Sequence, residues 1–255
     1  MLVAKAGLLT TVQDLGRWGY QSFGVSVAGP MDRFSHRLAN LLVGNSTSAA
    51  GLEITLLGPD VEFQDDVRCA VTGAEFEIFV DGNRMPLNAA WIVPKGAHLR
   101  FGDRRRGARA YLAIAGGLDV PQQLGSRATH LATGMGGYRG RHLQVGDRLR
   151  IGKASSTKLS RMHQVQSVVS LPSENIRLRV ILGPQDQMFS KDALLMFQSS
   201  RYQVSSESNR MGYRLLGPSI ASDKADQLLS DATPMGSIQV PASGKPIILM
   251  ADGQT

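Results

Sequence analysis

A chain of 255 residues with 42% hydrophobic content can bury a sizeable core, as one large domain or two modest ones, and this excludes a disordered ground state. A net charge of +7 and a pI of about 9.9 permit an anionic partner, but only Arg104, Arg105 and Arg106 cluster and no aromatic residue interleaves with them, so no nucleic-acid interface is expected. Cys69 stands alone and the five histidines lack H-x-x-x-H spacing, which excludes an internal disulfide and leaves no metal site to expect.

The N-terminus has no basic segment leading into an apolar core, and no apolar run approaches the roughly 18 residues of a membrane span. A soluble cytoplasmic protein without membrane association is predicted. The first informative stretch runs from Ala6 to Arg17 and on through Trp18-Gly19-Tyr20 to Gly24. Gln13, Asp14 and Arg17 lie here among Gly7, Gly16, Gly19 and Gly24, on backbone read as too glycine-rich for ordinary helix or strand. The stretch is either a solvated loop or a binding loop. In the second case Arg17 offers a planar fork to a carboxylate or phosphate, and Asp14 orients that fork or accepts a proton. Met31 or Asp32 then caps a helix with an expected buried stripe of Phe34, Leu38, Leu41 and Leu42, ended by Gly44. The positive end of its dipole is expected to add to an anion site shared with Arg17, with Asp32 as a second candidate base.

Short runs bounded by glycine, proline or aspartate recur at 52–57, 61–63, 68–72, 75–80, 91–93, 98–101, 110–115 and 148–151, a spacing that predicts antiparallel strands in a barrel or sandwich. Arg104 to Arg106, bracketed by Gly102 and Gly107, read as a hairpin tip, and Asp119 as an acceptor in the turn at 116–121. Residues 133–141 are glycine-rich but lack the Lys-Ser/Thr pair of a phosphate loop, so they form either a surface loop or a segment that closes over a ligand.

The polar, serine-rich stretch 153–175 is the best linker between an N-terminal domain at 1–152 and a C-terminal domain at 176–255. Beyond it, strands are expected at 177–182, 202–205, 237–240 and 246–250, with a helix at 191–198. Arg210-Met211-Gly212-Tyr213, followed at Gly217, repeats the R-x-G-Y-x-x-x-G spacing that begins at Arg17. Either the repeat is chance, or the two copies take the same tight backbone path in two similarly folded domains. Ser208, Asn209 and Arg210 can grip several oxygens of one ligand, or residues 205–209 merely turn the chain between strands.

The ordered motifs T-T-V-Q-D-L-G-R-W-G-Y, G-V-S-V-A-G-P-M-D, R-A-Y-L-A-I-A-G-G-L-D-V-P, L-G-S-R-A-T, S-N-R-M-G-Y-R-L-L-G, I-Q-V-P and L-M-A-D-G-Q-T resemble the biotin-dependent carboxyltransferase-like family from about residue 2 to residue 255. The resemblance implies a mainly β protein of two cyclophilin-like β-barrel domains with a few short helices. Family members continue past the A-D-x-Q-T segment, so the C-terminal domain is expected to be truncated at Thr255.

The family includes the C subunit of an ATP-dependent 5-oxoprolinase, which opens 5-oxoproline to L-glutamate, and this activity is the first expectation. It implies A and B subunits as partners and ATP with magnesium in the assembled complex. The chain carries no E-A-M-K-M biotin site and no nucleotide-binding segment of its own, so it is expected to be inactive alone. Phosphorylating a lactam oxygen needs cations around developing negative charge. Arg17 and Arg210 are the expected cations, Asp14 or Asp32 the base, Gln13, Asn209, Gln239 and Gln254 the readers of amide edges, and Ser208 a further substrate-binding residue. Two alternatives stay open: a carboxyltransferase acting with biotin on a urea-type amide, and a regulatory protein that binds a kinase-inhibitor partner.

Overall fold

The computed structural model describes residues 1–154, 176–220 and 233–253. The chain forms two compact units, one of Met1–Arg17 with Ala28–Glu174 and one of Trp18–Val27 with Asn175–Thr255. Residues 155–175 of the expected linker lie outside the described residues, as does Gln254.

The first unit is built on β1 (Leu2–Lys5), β2 (Leu9–Gln13), helix α1 (Arg33–Leu42), β3 (Gly51–Thr55), β4 (Asp60–Glu62), β5 (Val67–Val80), β6 (Asn83–Met85), β7 (Ala90–Val93), β8 (His98–Ile114), β9 (Leu118–Asp119) and β10 (Arg150–Ile151). Strands β1 to β8 join in one curled antiparallel sheet in which β8 is the spine: β5 runs along one edge of it, and β4 and β3 share the other. The runs at 68–72 and 75–80 are thus one strand, as are those at 98–101 and 110–115. Register shifts between Gly73 and Ile78 carry the β5–β8 ladder around the bend. Gly73 is required there, because its φ is +89° and a Cβ would stand 2.6 Å from the Arg109 carbonyl oxygen.

Period-two alternation sends β8 to two cores. Leu112 and Ile114 join Val12, Leu52, Ile54, Val71 and Leu99 in the main core, while Tyr111 and Ala113 face Ala39, Leu42 and Val43 of the α1 region on the other side of the sheet. Both faces are covered, which explains why A-Y-L-A-I reads as a continuous apolar run.

Four local expectations are corrected. Arg104 to Arg106 sit inside β8, with Arg105 and Arg106 reaching across to Glu77 and Glu75 at 2.9 and 2.6 Å, so they are cross-strand partners and not a hairpin tip. The buried face of α1 is Ser35, His36, Ala39, Asn40 and Leu42, whereas Phe34 and Leu41 are 50% and 53% exposed. The strand expected at 177–182 does not form. Residues 9–13, read as loop, are β2, paired with β3 from Leu9↔Thr55 to Gln13↔Gly51.

The second unit contains helix α2 (Lys191–Ser199), capped by the Ser190 hydroxyl, and the short strands β11 (Gln203–Val204), β12 (Gly212–Leu216), β13 (Ile238–Gln239) and β14 (Ile247–Leu249). These four form an antiparallel sheet in the order β11-β12-β14-β13. The mainly β expectation holds.

Candidate functional site

The first polar cluster is built where β2 ends. Gln13 is fully buried and its Nε2 donates to Thr11 Oγ1 and to the Thr129 carbonyl, both at 3.1 Å. Asp14 accepts from Gly16 N at 2.9 Å, Ser126 Oγ at 2.6 Å and Arg127 N at 2.5 Å. Thr129 closes the same junction by donating from both its amide and its hydroxyl to the Val12 carbonyl. Gln13 and Asp14 therefore lock the 126–129 segment to β2 with charge-assisted and amide hydrogen bonds.

Arg17 does not present its head to solvent. It is 1% exposed and its Nη2 donates to the Ala128 carbonyl. Gly136 covers it: at φ +71°, a Cβ there would stand 2.1 Å from Ala128 O and 2.5 Å from Arg17 Nη2. The glycine-rich 133–141 segment is folded down on this arginine by hydrogen bonds from Gly136 N to Gln123 Oε1 at 2.8 Å and from Gly137 N to Arg127 O at 3.0 Å.

The second cluster lies under α1. Asp32 is the N-cap, accepting from Ser35 N at 3.0 Å and Ser35 Oγ at 2.5 Å, so the carboxylate expected to act as a base closes the helix start instead of leaving it open to an anion. Glu53, 1% exposed, accepts from Met31 N and from Tyr111 Oη, each at 2.8 Å, and lies 3.6 Å from Arg109 Nε. Glu53 and Tyr111 face each other across β3 and β8. Burial first, and then the Glu53 carboxylate, push the Tyr111 phenol well above its ordinary range. His36 stacks edge-on against Tyr111 and donates from Nε2 to the Gln13 carbonyl at 3.1 Å, and burial lowers its pKa so that the ring is neutral. His36 thus joins the two clusters. Gln13 Oε1 and His36 Nδ1 are buried acceptors with no partner among the described residues.

In the second unit, Arg210 and Asp252 form a buried bidentate pair, Nε to Oδ2 at 3.0 Å and Nη2 to Oδ1 at 2.8 Å. Asn209 Oδ1 accepts from Met211 N at 2.8 Å and Ser208 Oγ from Arg214 N at 3.0 Å, so both side chains shape the connection from β11 to β12. Gln239 is exposed on β13, opposite Ile247.

The two R-x-G-Y-x-x-x-G copies differ in conformation. Gly19 and Gly24 are left-handed, at φ +93° and +74°, with open space where a Cβ would point. Gly212 instead opens β12, and a Cβ on it would meet Ile247 Cγ2 at 2.8 Å. The shared path expected for the two copies is not found.

The structure thus brings Gln13, Asp14 and Arg17 together, joins Asp32 to a network that includes Glu53, Tyr111, His36 and Arg109, and places Ser208, Asn209 and Arg210 separately in the second unit. Glu53 and Tyr111 escaped the reading of the sequence. Their signal was a carboxylate inside the apolar run Leu52-Glu53-Ile54, within a sheet covered on both faces.

The carboxyltransferase domain, subdomain A and B, family matches residues 23–255. The chain is 43% identical to the C subunit of 5-oxoprolinase from Escherichia coli over 99% of its own length and 80% of that protein, and 36% identical to the C subunit of 5-oxoprolinase from Haemophilus influenzae over 96% and 77%. It is 38% identical to urea amidolyase of Saccharomyces cerevisiae over 85% of its length, which is 12% of that enzyme. Among solved structures, TTHA0988 superposes with a TM-score of 0.88 at 36% identity, covering all of this chain and 48% of that one. Urea amidolyase of K. lactis superposes at 0.84 and 32% identity, covering 99% of this chain and 16% of that one. The chain therefore spans about half the length of TTHA0988. Matched over most of its residues by the family's own pattern and over 99% of its length by a relative 43% identical, the chain belongs to the carboxyltransferase domain, subdomain A and B, family.

Proposed function

We propose that the chain serves as the C subunit of an ATP-dependent 5-oxoprolinase, acting with A and B subunits in the cytoplasm to open 5-oxoproline to L-glutamate. The observation that carries this reading is the 43% identity to the 5-oxoprolinase C subunit of Escherichia coli across 80% of that protein's length, supported by a second relative of the same name.

The buried clusters act in this reading as positioning groups. Asp14 and Arg17 hold the 126–137 region, Asp32 and Glu53 fix the start of α1, and Arg210 anchors the 209–212 turn. Asp14, Arg17, Glu53 and Arg210 are buried and held by hydrogen bonds or ion pairs within the protein, and the exposed Asp32 is held by Ser35, which suits the preorganisation that transition-state stabilisation requires. Gln239 and Gln254 remain candidates for substrate contact. Among the described residues no group of three His, Cys, Asp or Glu side chains could hold a metal ion, so magnesium ATP is proposed for the assembled complex with no magnesium ligand assigned to this chain. Among the same residues no helix is long and apolar enough to cross a membrane.

The test is reconstitution with the A and B subunits of the same genome, following glutamate release from 5-oxoproline and ATP. Turnover is expected only when all three are present. Turnover by this chain alone would overturn its role as one part of a larger enzyme, and inactivity of the complete set would overturn the oxoprolinase reading. The likeness to two urea amidolyases favours one second reading, a carboxyltransferase component acting with biotin on a urea-type amide. In that case a biotinylated carrier and urea, but not 5-oxoproline, would support reaction.

A further inference from the structure

Beside the locked 126–129 segment, the first unit carries an open cleft of about 640 Å³ lined by Asp119, Val120, Arg127, Tyr138, Arg148 and Arg150, among others. None of the arginines was singled out by the sequence. Arg148 and Arg150, the latter opening β10, are both exposed and flank the buried Leu149, so both side chains turn to the outer face. Neither is within ion-pair distance of a carboxylate among the described residues. Arg127 is held from behind: its amide donates to Asp14, its Nε donates to the Val120 carbonyl at 2.8 Å, and its Nη2 lies 3.4 Å from Asp119. Asp119 is the single acid among the described lining residues, and it is opposite Arg150 in the β9–β10 ladder.

Among the described lining residues, three guanidinium groups against one carboxylate leave a net double positive charge. Like charges two residues apart on one face repel, and a bound anion relieves that repulsion. Guanidinium groups match phosphate oxygens in pairs, and the pinned Arg127 loses little freedom on binding. A single carboxylate would leave most of the volume and one or two of the cations unmet. Val120, Pro121 and the Tyr138 ring supply an apolar wall beside the charged one.

We propose that this cleft binds a small phosphate-bearing molecule through a di- or triphosphate group held by Arg127, Arg148 and Arg150. The site does not depend on the oxoprolinase reading, since it needs only the geometry of the first unit.

Isothermal titration of the whole chain at about 0.15 M salt with pyrophosphate, with ATP free of magnesium, and with acetate tests it. Saturable binding of pyrophosphate or ATP, with acetate at least tenfold weaker, is expected. The double variant Arg148→Ala/Arg150→Ala, both side chains exposed, should lose at least tenfold in affinity with an unchanged Tm, while Arg104→Ala/Arg105→Ala on β8 should bind as the parent does. ATP binding without pyrophosphate binding would place the contacts elsewhere and overturn the proposal, as would equal affinity for acetate. Equal losses in the two double variants would also overturn it, by showing attraction to the net charge of the protein and not to a site.

Discussion

Arg210 and Asp252 meet fork to fork inside the second unit, each side chain 4% exposed, joining the turn before β12 to the segment after β14. Removing either partner strands a buried charge, which typically costs about 3 to 5 kcal/mol. Arg210→Ala and Asp252→Ala should each lower the denaturation midpoint of the second unit, and the double variant should lose clearly less than the two losses added together. Strict additivity in that double-mutant cycle would show that the pair is not coupled.

Gly136→Ala sets a Cβ 2.1 Å from Ala128 O in a left-handed residue, whereas Gly125→Ala, at a similar φ of +75°, meets nothing within 4 Å. Both variants carry the backbone strain, of order 1 kcal/mol, and only the first carries the collision. Gly136→Ala should therefore be the less stable by a further ~1 kcal/mol or more, on the order of other core overpacking. Equal unfolding midpoints would mean that the 133–141 segment is not seated on Arg17.

His36 is neutral in the folded chain because burial holds its pKa below the ordinary value of 6.5. As pH falls below that value the unfolded state takes up a proton that the folded state refuses. Stability should then fall by up to about 1.4 kcal/mol per pH unit until the folded pKa is reached. Above the ordinary value the contribution is complete. Urea unfolding between pH 7.5 and 5 should show this slope, and His36→Gln should flatten it. An unaltered slope in the variant would assign the effect to other groups.

Cys69 is fully buried in the main core, and burial pushes its thiol far above the ordinary range, so little thiolate exists to react. Labelling by a disulfide reagent at pH 8 should follow global unfolding, with negligible modification of the native chain. Fast stoichiometric labelling of native protein would contradict this placement.

The apolar strands were legible because alternation and bounding glycines are local signals. What failed was polar burial. Thr10, Thr11 and Gln13 lie in a stretch read as a loop, solvated or ligand-binding, yet they are interior because Thr10 Oγ1 donates to the Ala6 carbonyl at 2.7 Å and Gln13 finds the Thr129 carbonyl, a partner 116 positions away. Phe34 and Leu41 failed in the opposite sense, since helical spacing shows that a stripe exists but not that the sheet beneath will prefer His36 and Asn40. Arg17 and Arg210 were legible as important and illegible as buried, because atoms that hold them, Ala128 O and the Asp252 carboxylate, come from distant segments.

The start of the chain, through β1 and β2, is completed by residues far along it: Val3 N donates to Asp147 O, Leu149 N to Met1 O, and Leu143 N to Thr10 O. During synthesis β1 and β2 emerge first and wait, with those backbone groups unmet, until about 140 further residues have followed. Closure of so long a loop adds little to the equilibrium cost but much to the search, so folding of this unit should be slow for its size and late on the ribosome. In that interval the partly formed sheet presents open edges, and the nascent chain is at its most vulnerable to pairing with a neighbour.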